Sequence, residues 1–517
     1  MSAHLKVFIA VLLLGAVAIL GYKFALPRFQ DQWQRETSDA AAIHGKLLVG
    51  VDNWIGYFPL CSQEMSRRMR NQGFSLRCED DKADYPTRMK LLADGQLDFA
   101  VATVDAYLLN GATLDFPATI IAVLDESKGG DAIVARKTAV PTLESLKQNT
   151  TTRIAFTPSS PSEHLLKSVS IHFGLPQIQQ KQGGWRVEAT GSPDALKKLQ
   201  KGEVDVAVLW EPDVSKALTD PEFIKLIGTD DTEKLIVDVL LASRRIVQQK
   251  PDAVRALLRQ YFETQSFYQE SPHRLQADVM AENNVNETQA SAMLSGVKFA
   301  TLSENGALWF GVTPSGLPDQ EGLVNAINGA VNVLLETRDF QQNPLPDRDP
   351  YRLTNRQFIA DLYLHDIGSQ NSPSRAKEGL ARAFSPLDEA GWKSLKEVGT
   401  LRMDPVEFSR GTASLDDSGR MALNSVAEKL SHYPHYRLMV KGHTGIDGDA
   451  DANLELSKRR AEAVLDYFVS TFSIDPNRIR ALGFGASQPL PRLPDEPDRA
   501  YNYRLPRVEF ALLTEKN

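Results

Sequence analysis

Four short segments carry side chains that could hold a small polar molecule, and each follows an apolar run or opens a helix. Asn53, Trp54 and Tyr57 follow KLLVGVD, and Thr103 and Asp105 follow LDFAVA. Ser159, Ser160 and Ser162 lie in TPSSPSEH, and Trp210, Glu211 and Asp213 close VDVAVLWEPD. In α/β folds, ligands bind beyond the carboxyl ends of strands and near helix N-termini. The serine hydroxyls and nearby free N–H groups suit an oxyanion or carboxylate, and they serve equally as plain helix caps. The two indoles and Tyr57 would pack the organic part of a ligand. Asp105, Glu211 and Asp213 argue for a ligand with a cationic or amine group. A fifth stretch, KGHTGIDGDADANLELSKRRAEAVLDYFVSTF (Lys441 to Phe472), runs from a strand through a Gly-rich acidic loop into a helix with two adjacent arginines.

Catalytic arrangements are weaker. Ser162, Glu163 and His164 are neighbours, and neighbours on one helix point in different directions, so they form no triad. His432 and His435 have a metal-like spacing, but Pro434 breaks the helix that would align them, and a loop is the simpler reading. There is no Walker loop and no G-x-S-x-G. The chain is expected to be a binding protein with no catalytic residues, no metal and no cofactor, and not an enzyme.

The elements that would position these residues alternate. Strands at Leu47–Val51, Phe74–Cys78 and Leu97–Val104 are separated by helical stretches. The plan recurs with strands at Arg153–Phe156 and Trp185–Ala189 and in VDVAVLW. Such alternation predicts an α/β fold with largely parallel sheets. ADGQLDFAVATVDAYL and QKGEVDVAVLWEPDVS share one design: helix, Gly-x-(Leu/Val)-Asp, apolar strand. Two similar lobes follow from it.

The paired motifs Gly95-Gln96-Leu97-Asp98 with Thr103 and Asp105, and Gly202-Glu203-Val204-Asp205 with Trp210-Glu211-Pro212, resemble type II periplasmic solute-binding proteins of the nitrate–sulfonate–taurine group. The resemblance covers roughly residues 46–345 and implies a bilobal fold: lobe 1 over about 46–135 and 235–345, lobe 2 over about 136–234, with hinges near Ala135–Thr142 and Gly228–Leu235. Gly442, His443, Thr444, Gly448, Asn453, Leu456, Ser457, Arg459, Arg460 and Ala461 resemble the signature of OmpA-like peptidoglycan-binding domains. This implies a βαβαββ domain over 395–517, beginning with a strand at Val406–Arg410. It also implies a site for the diaminopimelate of peptidoglycan, with Arg460 as the fork for a carboxylate and Thr444 and Asn453 as polar supports. The family's loop Asp, the partner for the ligand's amine, is Gly445 here. Asp447, Asp449 or Asp451 is expected to replace it, giving weak or altered wall affinity. Residues 346–394, rich in Pro, Asn, Asp and Ser, read as a linker.

The 517 residues are too many for one ordinary core, and the −8 charge, with no large Lys/Arg block, argues against a nucleic-acid partner. Cys61 and Cys78 admit either a disulfide or two free thiols. The uncharged run Val7–Tyr22, flanked by Lys6, Lys23 and Arg28, reads as an uncleaved membrane helix within residues 1–28 in preference to a cleaved signal. Residues 29–45 read as a stalk. The expectation is therefore an α/β protein with one N-terminal transmembrane helix, two parallel-sheet lobes and a βαβαββ OmpA-like domain. It would lie on the periplasmic side of the inner membrane of a Gram-negative bacterium. Its partners would be a small-molecule ligand, peptidoglycan, the inner membrane, and a membrane permease or other envelope protein. The alternative is an envelope tether whose binding-protein fold docks a protein.

Overall fold

The computed structural model describes residues 43 and 45–515, apart from 44, 150, 176, 179–182, 313–320, 368–383, 410 and 494–495. The expected membrane helix and nearly all of the stalk lie outside the described residues. Among the described residues no helix is long and apolar enough to cross a membrane.

Three sheets organise the molecule. The first contains β1 (Gly45–Val51), β2 (Phe74–Asp80), β3 (Phe99–Thr103), β4 (Ala118–Ser127), β10 (Val237–Ser243) and β11 (Val297–Phe299), in the order β11-β4-β10-β3-β1-β2. The second contains β5 (Asp131–Arg136), β6 (Ile154–Phe156), β7 (Arg186–Glu188), β8 (Val206–Trp210) and β9 (Phe223–Gly228), in the order β7-β6-β8-β5-β9. In the third, β12 (Lys396–Leu401), β13 (Arg437–His443), β14 (Ile479–Gly483) and β15 (Arg507–Thr514) run β12-β15-β13-β14.

Both lobe sheets are mixed, where parallel sheets were expected. β1, β2 and β3 are parallel, but β10 runs against both β3 and β4. In the second sheet β5 runs against β8 and β9. Each sheet contains one antiparallel strand that enters from the other lobe, β10 in the first and β5 in the second, and the edge strand β11 of the first sheet also runs against β4. The lobes are thus built on one plan and exchange one strand each, leaving two crossovers. The first crossover is Lys128–Gly130, not Ala135–Thr142, because Asp131–Arg136 already pairs in the second sheet. The second joins Gly228 to Val237. Thr229 ties the two together: its Oγ1 accepts from the N–H groups of Gly129 (2.9 Å) and Asp131 (3.2 Å) and lies 2.7 Å from Ser127 Oγ.

The expected linker divides. Leu345, Leu353, Phe358, Ile359 and Tyr363 are buried in the first core, and Asn355 N–H donates to Ile120 O at 2.9 Å. Apolar residues spaced through a Pro- and Asp-rich stretch pin it to the first sheet. The third sheet begins at Lys396, earlier than expected, while the predicted Val406–Arg410 strand is reduced to a single bridge between Phe408 and Leu415. Cys61 and Cys78 form a disulfide joining a helix to β2.

The second and third sheets share one apolar core, which runs from Leu143 and Phe173 through Tyr433 to Phe510. At the junction His172 Nδ1 lies 2.6 Å from Tyr433 Oη, and the Phe173 and Tyr433 rings meet edge to face at 5.5 Å. Glu233 N–H donates to His432 O at 2.7 Å, and His432 Nδ1 lies 2.9 Å from Glu233 O. His432 therefore sits in a domain contact. Burial holds both His172 and His432 below their ordinary pKa.

Candidate functional site

The cleft lies where the strand ends of the first two sheets face each other. Asp52 and Trp54 follow β1, while β3 ends in Thr103 and β8 in Trp210. Ser160 and Pro161 open the helix Pro161–Phe173 from the second lobe. These residues surround a cavity of about 20 Å³, together with Tyr57, Tyr85, Asp131 and Asp238.

Hydrogen bonds fix the walls. Trp54 Nε1 donates to Asp125 Oδ1 at 3.0 Å, and Tyr57 Oη donates to Asp238 Oδ1. Tyr85 Oη donates to Asp52 Oδ2 at 3.2 Å. Arg88 is fully buried behind this wall. Its Nε donates to Asp81 Oδ2 at 2.6 Å, Nη1 to Val101 O at 2.7 Å, and Nη2 to Asp52 Oδ2 at 3.1 Å. The indole of Trp54 is held by close backbone: a Cβ on Gly130 would lie 2.2 Å from Trp54 Cη2, and one on Gly56 2.4 Å from Trp54 Nε1.

The electrostatics are one-sided. Asp105, Asp125, Asp131 and Asp238 are all buried, and none takes part in the ion pairs formed among the described residues. Burial pushes Asp125 and Asp131 up to about 7 and raises Asp238 well above the carboxylate range. Asp125 and Asp238 are coupled neighbours, so one proton shared between them relieves the pair. Asp105 Oδ2 and Thr103 Oγ1 are buried with no hydrogen-bond partner.

Of the ten residues expected to bind a solute, Trp54, Tyr57, Thr103, Ser160 and Trp210 line the cavity. The other five do not. Asn53 is exposed. Asp105 lies in the first turn of the helix Val104–Gly111, behind Thr103. Ser159 gives its N–H to Glu163 Oε2 at 2.7 Å, and Ser162 is buried within its own helix. Glu211 turns back to accept from Ser215 Oγ at 2.7 Å, and Asp213 pairs with Lys216 at 2.8 Å. Asp52, Tyr85, Asp131 and Asp238 were missed. A signal existed for two of them: Asp238 in VDVLLAS and Asp131 in DAIVAR are lone acids in apolar strands, a costly placement unless the charge is used.

In the third domain the helix Ala450–Phe472 is capped by Asp449, whose carboxylate accepts from Ala452 N–H at 2.8 Å. It crosses the sheet closely: a Cβ on Gly442 would lie 2.2 Å from Ser457 O, and Ser457 Oγ accepts from Gly485 N–H at 2.9 Å. Several signature residues are therefore packing devices. Arg460 is half-buried, stacks at 5.1 Å over Phe408, and donates from Nε to Thr412 O at 3.0 Å. It lines an open groove of about 1230 Å³ with Arg402, Arg504, Arg507 and Glu509. Thr444, Asp447 and Asn453 do not line that groove. Asn453 Nδ2 instead donates to Asp447 O at 2.9 Å, and Thr444 is buried beside β14. Asp447, Asp449 and Asp451 are all exposed. The acids lining the groove are Asp404, Glu407, Asp416 and Glu509, the last held down at about 2 by His443 (3.6 Å) and Arg507 (2.6 Å).

The chain thus joins two α/β lobes with mixed sheets to a domain that resembles the OmpA family. The OmpA family model matches residues 407–503. Over 119 residues the chain is 29% identical to outer membrane porin F of Pseudomonas aeruginosa, covering 23% of this chain and 34% of that protein. Over 122 residues it is 30% identical to the peptidoglycan-associated lipoprotein of Agrobacterium fabrum, covering 23% of this chain and 66% of that protein. The chain spans about a third of the length of the first curated relatives it matches. The alkanesulfonate-binding protein SsuA of Xanthomonas axonopodis pv. citri, bound to MOPS, is 16% identical with a TM-score of 0.46, over 61% of this chain and 100% of that one.

Proposed function

We propose that the chain is an envelope-anchored solute-binding protein. It captures a small polar molecule between its lobes and contacts peptidoglycan through its OmpA-like domain. The observation that carries this reading is the convergence of Trp54, Tyr57 and Thr103 from one lobe with Ser160 and Trp210 from the other on one cavity. The mechanism is binding with hinge closure about Lys128–Gly130 and the 229–236 segment, not chemistry. The Cys61–Cys78 disulfide fits an oxidising compartment such as the periplasm. The apolar run Val7–Tyr22 supports a single-pass anchor in the inner membrane of a Gram-negative cell, with a permease as one candidate partner. Arg460 is the residue through which wall contact is expected. The test is native mass spectrometry of the full chain, wild type and Trp54→Ala. A bound small molecule in the first and its loss in the second supports capture, and a ligand-free wild type under repeated preparation opposes it.

One observation favours a second reading, a tether whose binding-protein fold docks a protein. The cavity of about 20 Å³ is little more than the room one water needs. A chain that never opens, judged by unchanged solution scattering across a metabolite panel, would favour the tether.

A further inference from the structure

We propose that the interlobe cleft takes an organic ammonium ion, a primary amine or polyamine entering head first, in place of a sulfonate or nitrate. The proposal rests on the solute-binding reading above and names the chemical class of its ligand.

The acids of the cleft come from separate elements. Asp52 follows β1, Asp238 lies in β10 of the same sheet, and Asp131 begins β5 of the other. Of these only Asp52 has a cation, Arg88, and that guanidinium is shared with Asp81. No Lys, Arg or His lines the cavity among the described residues. An oxyanion placed there would meet carboxylates with no compensating charge, and burying it would be strongly unfavourable.

The helix N-terminus at Ser160 does not reverse this. Pro161 supplies no N–H at the first position, Ser160 Oγ donates to Thr157 O at 2.7 Å, and the Glu163 carboxylate already takes Ser159 N–H.

Two further observations are independent of the acids. Thr103 Oγ1, on a residue 1% exposed in the cavity wall, has no hydrogen-bond partner and can accept from a ligand N–H. The remaining walls are aromatic: Trp54, Tyr57, Tyr85 and Trp210. Ring faces attract ammonium ions and pack aliphatic stems. An –NH₃⁺ head has three donors and no acceptor, which matches acceptors at Asp131 and Thr103, with Asp238 joining them once the proton it shares with Asp125 leaves as the cation enters. The cavity of about 20 Å³ accepts a group of water size, the size of that head, and the stem then requires the lobes to part.

The test is titration calorimetry of the full chain, dialysed free of small molecules, with intrinsic tryptophan fluorescence as a second readout. Putrescine and spermidine form one arm, ethanesulfonate, nitrate and phosphate a second, and calcium and sodium chloride a third. Saturable binding is expected in the amine arm alone. The affinity should fall at least 30-fold in the double variant Asp131→Asn with Asp238→Asn, and about tenfold in Thr103→Val. Thr103→Val changes shape little, so its loss stands even if the double variant does not fold. Saturable binding of an oxyanion or of a metal cation overturns the amine class and leaves solute capture standing. Binding of nothing in any arm overturns both. Amine affinity unchanged in a folded double variant and in Thr103→Val overturns the siting.

Discussion

The cleft between the lobes and the groove beside Arg460 treat charge in opposite ways. The cleft is narrow, about 20 Å³, and gathers buried carboxylates, of which only Asp52 has a cation. The groove is wide, about 1230 Å³, and two of its arginines are answered locally: Arg504 by Glu496 at 2.5 Å, Arg507 by Glu509 at 2.6 Å. Buried charge without a partner costs free energy that something else must offset, whereas exposed pairs are nearly neutral to stability. The cleft therefore has the stronger physical demand for a ligand. The groove can accept one but is stable without it.

The largest break in this contrast comes from the one cation behind the cleft. Arg88→Ala leaves Asp52 and Asp81 unpaired, and removing one member of a buried pair costs about 3–5 kcal/mol. Chemical denaturation should show a loss of that size, whereas Arg460→Ala, at a half-exposed site, should cost at most ~1 kcal/mol. The second contrast concerns close packing. In Gly56→Ala the new methyl meets Asp125 Oδ2 at 2.2 Å and must displace the Trp54 indole. Overpacking of this kind costs about 1–3 kcal/mol, and the Trp54 emission should shift. Gly445→Ala, whose nearest neighbour is Pro506 Cγ at 4.0 Å, should leave the melting temperature unchanged.

The pH dependence should carry opposite signs in the two regions. Asp125 and Asp131, near 7 when folded, add stability that is complete below about 4 and is lost as pH rises through 7. Glu509, near 2 when folded, adds stability that is present above its ordinary value and is lost as pH falls toward 2. Melting temperatures from pH 2 to 9 should fall on both sides of a maximum in the acidic range. Asp131→Asn should flatten the alkaline side alone, and Glu509→Gln the acid side alone. The smallest effect on stability is the most informative for the wall. Full chain carrying Arg460→Ala should be retained less than wild type on purified sacculi, and equal retention would remove Arg460 from the contact.

What could be read from the residues was what local pattern encodes. The repeated Gly-x-(Leu/Val)-Asp before an apolar strand gave both lobes, and the order of elements from Lys441 to Phe472 gave the third domain. The acidic character of the cleft was also legible, but from the wrong acids. Asp105, Glu211 and Asp213 are satisfied or set back, while Asp52, Asp131 and Asp238 reach the cavity. Sequence neighbours indicate which residues follow a strand, but not which strand crosses to the other lobe. Asp131 became a cleft residue only once β5 was found in the second sheet, and Leu353 and Phe358 became core only once 345–363 was found folded against the first. The Gly445 departure was visible, but its consequence was not. The helix cap at Asp449 and the Asn453–Asp447 bond turn the loop acids outward.

The core shared by the second and third sheets has a thermodynamic consequence for any attempt to take the chain apart. Tyr433, Phe173 and Leu401 are buried by residues from both sides, so neither side keeps its apolar interior alone. Three sheets then amount to two cooperative units, and scanning calorimetry is expected to resolve two transitions where three separate domains would give three. A fragment cut at residue 395 would begin its existence with an apolar face turned to water.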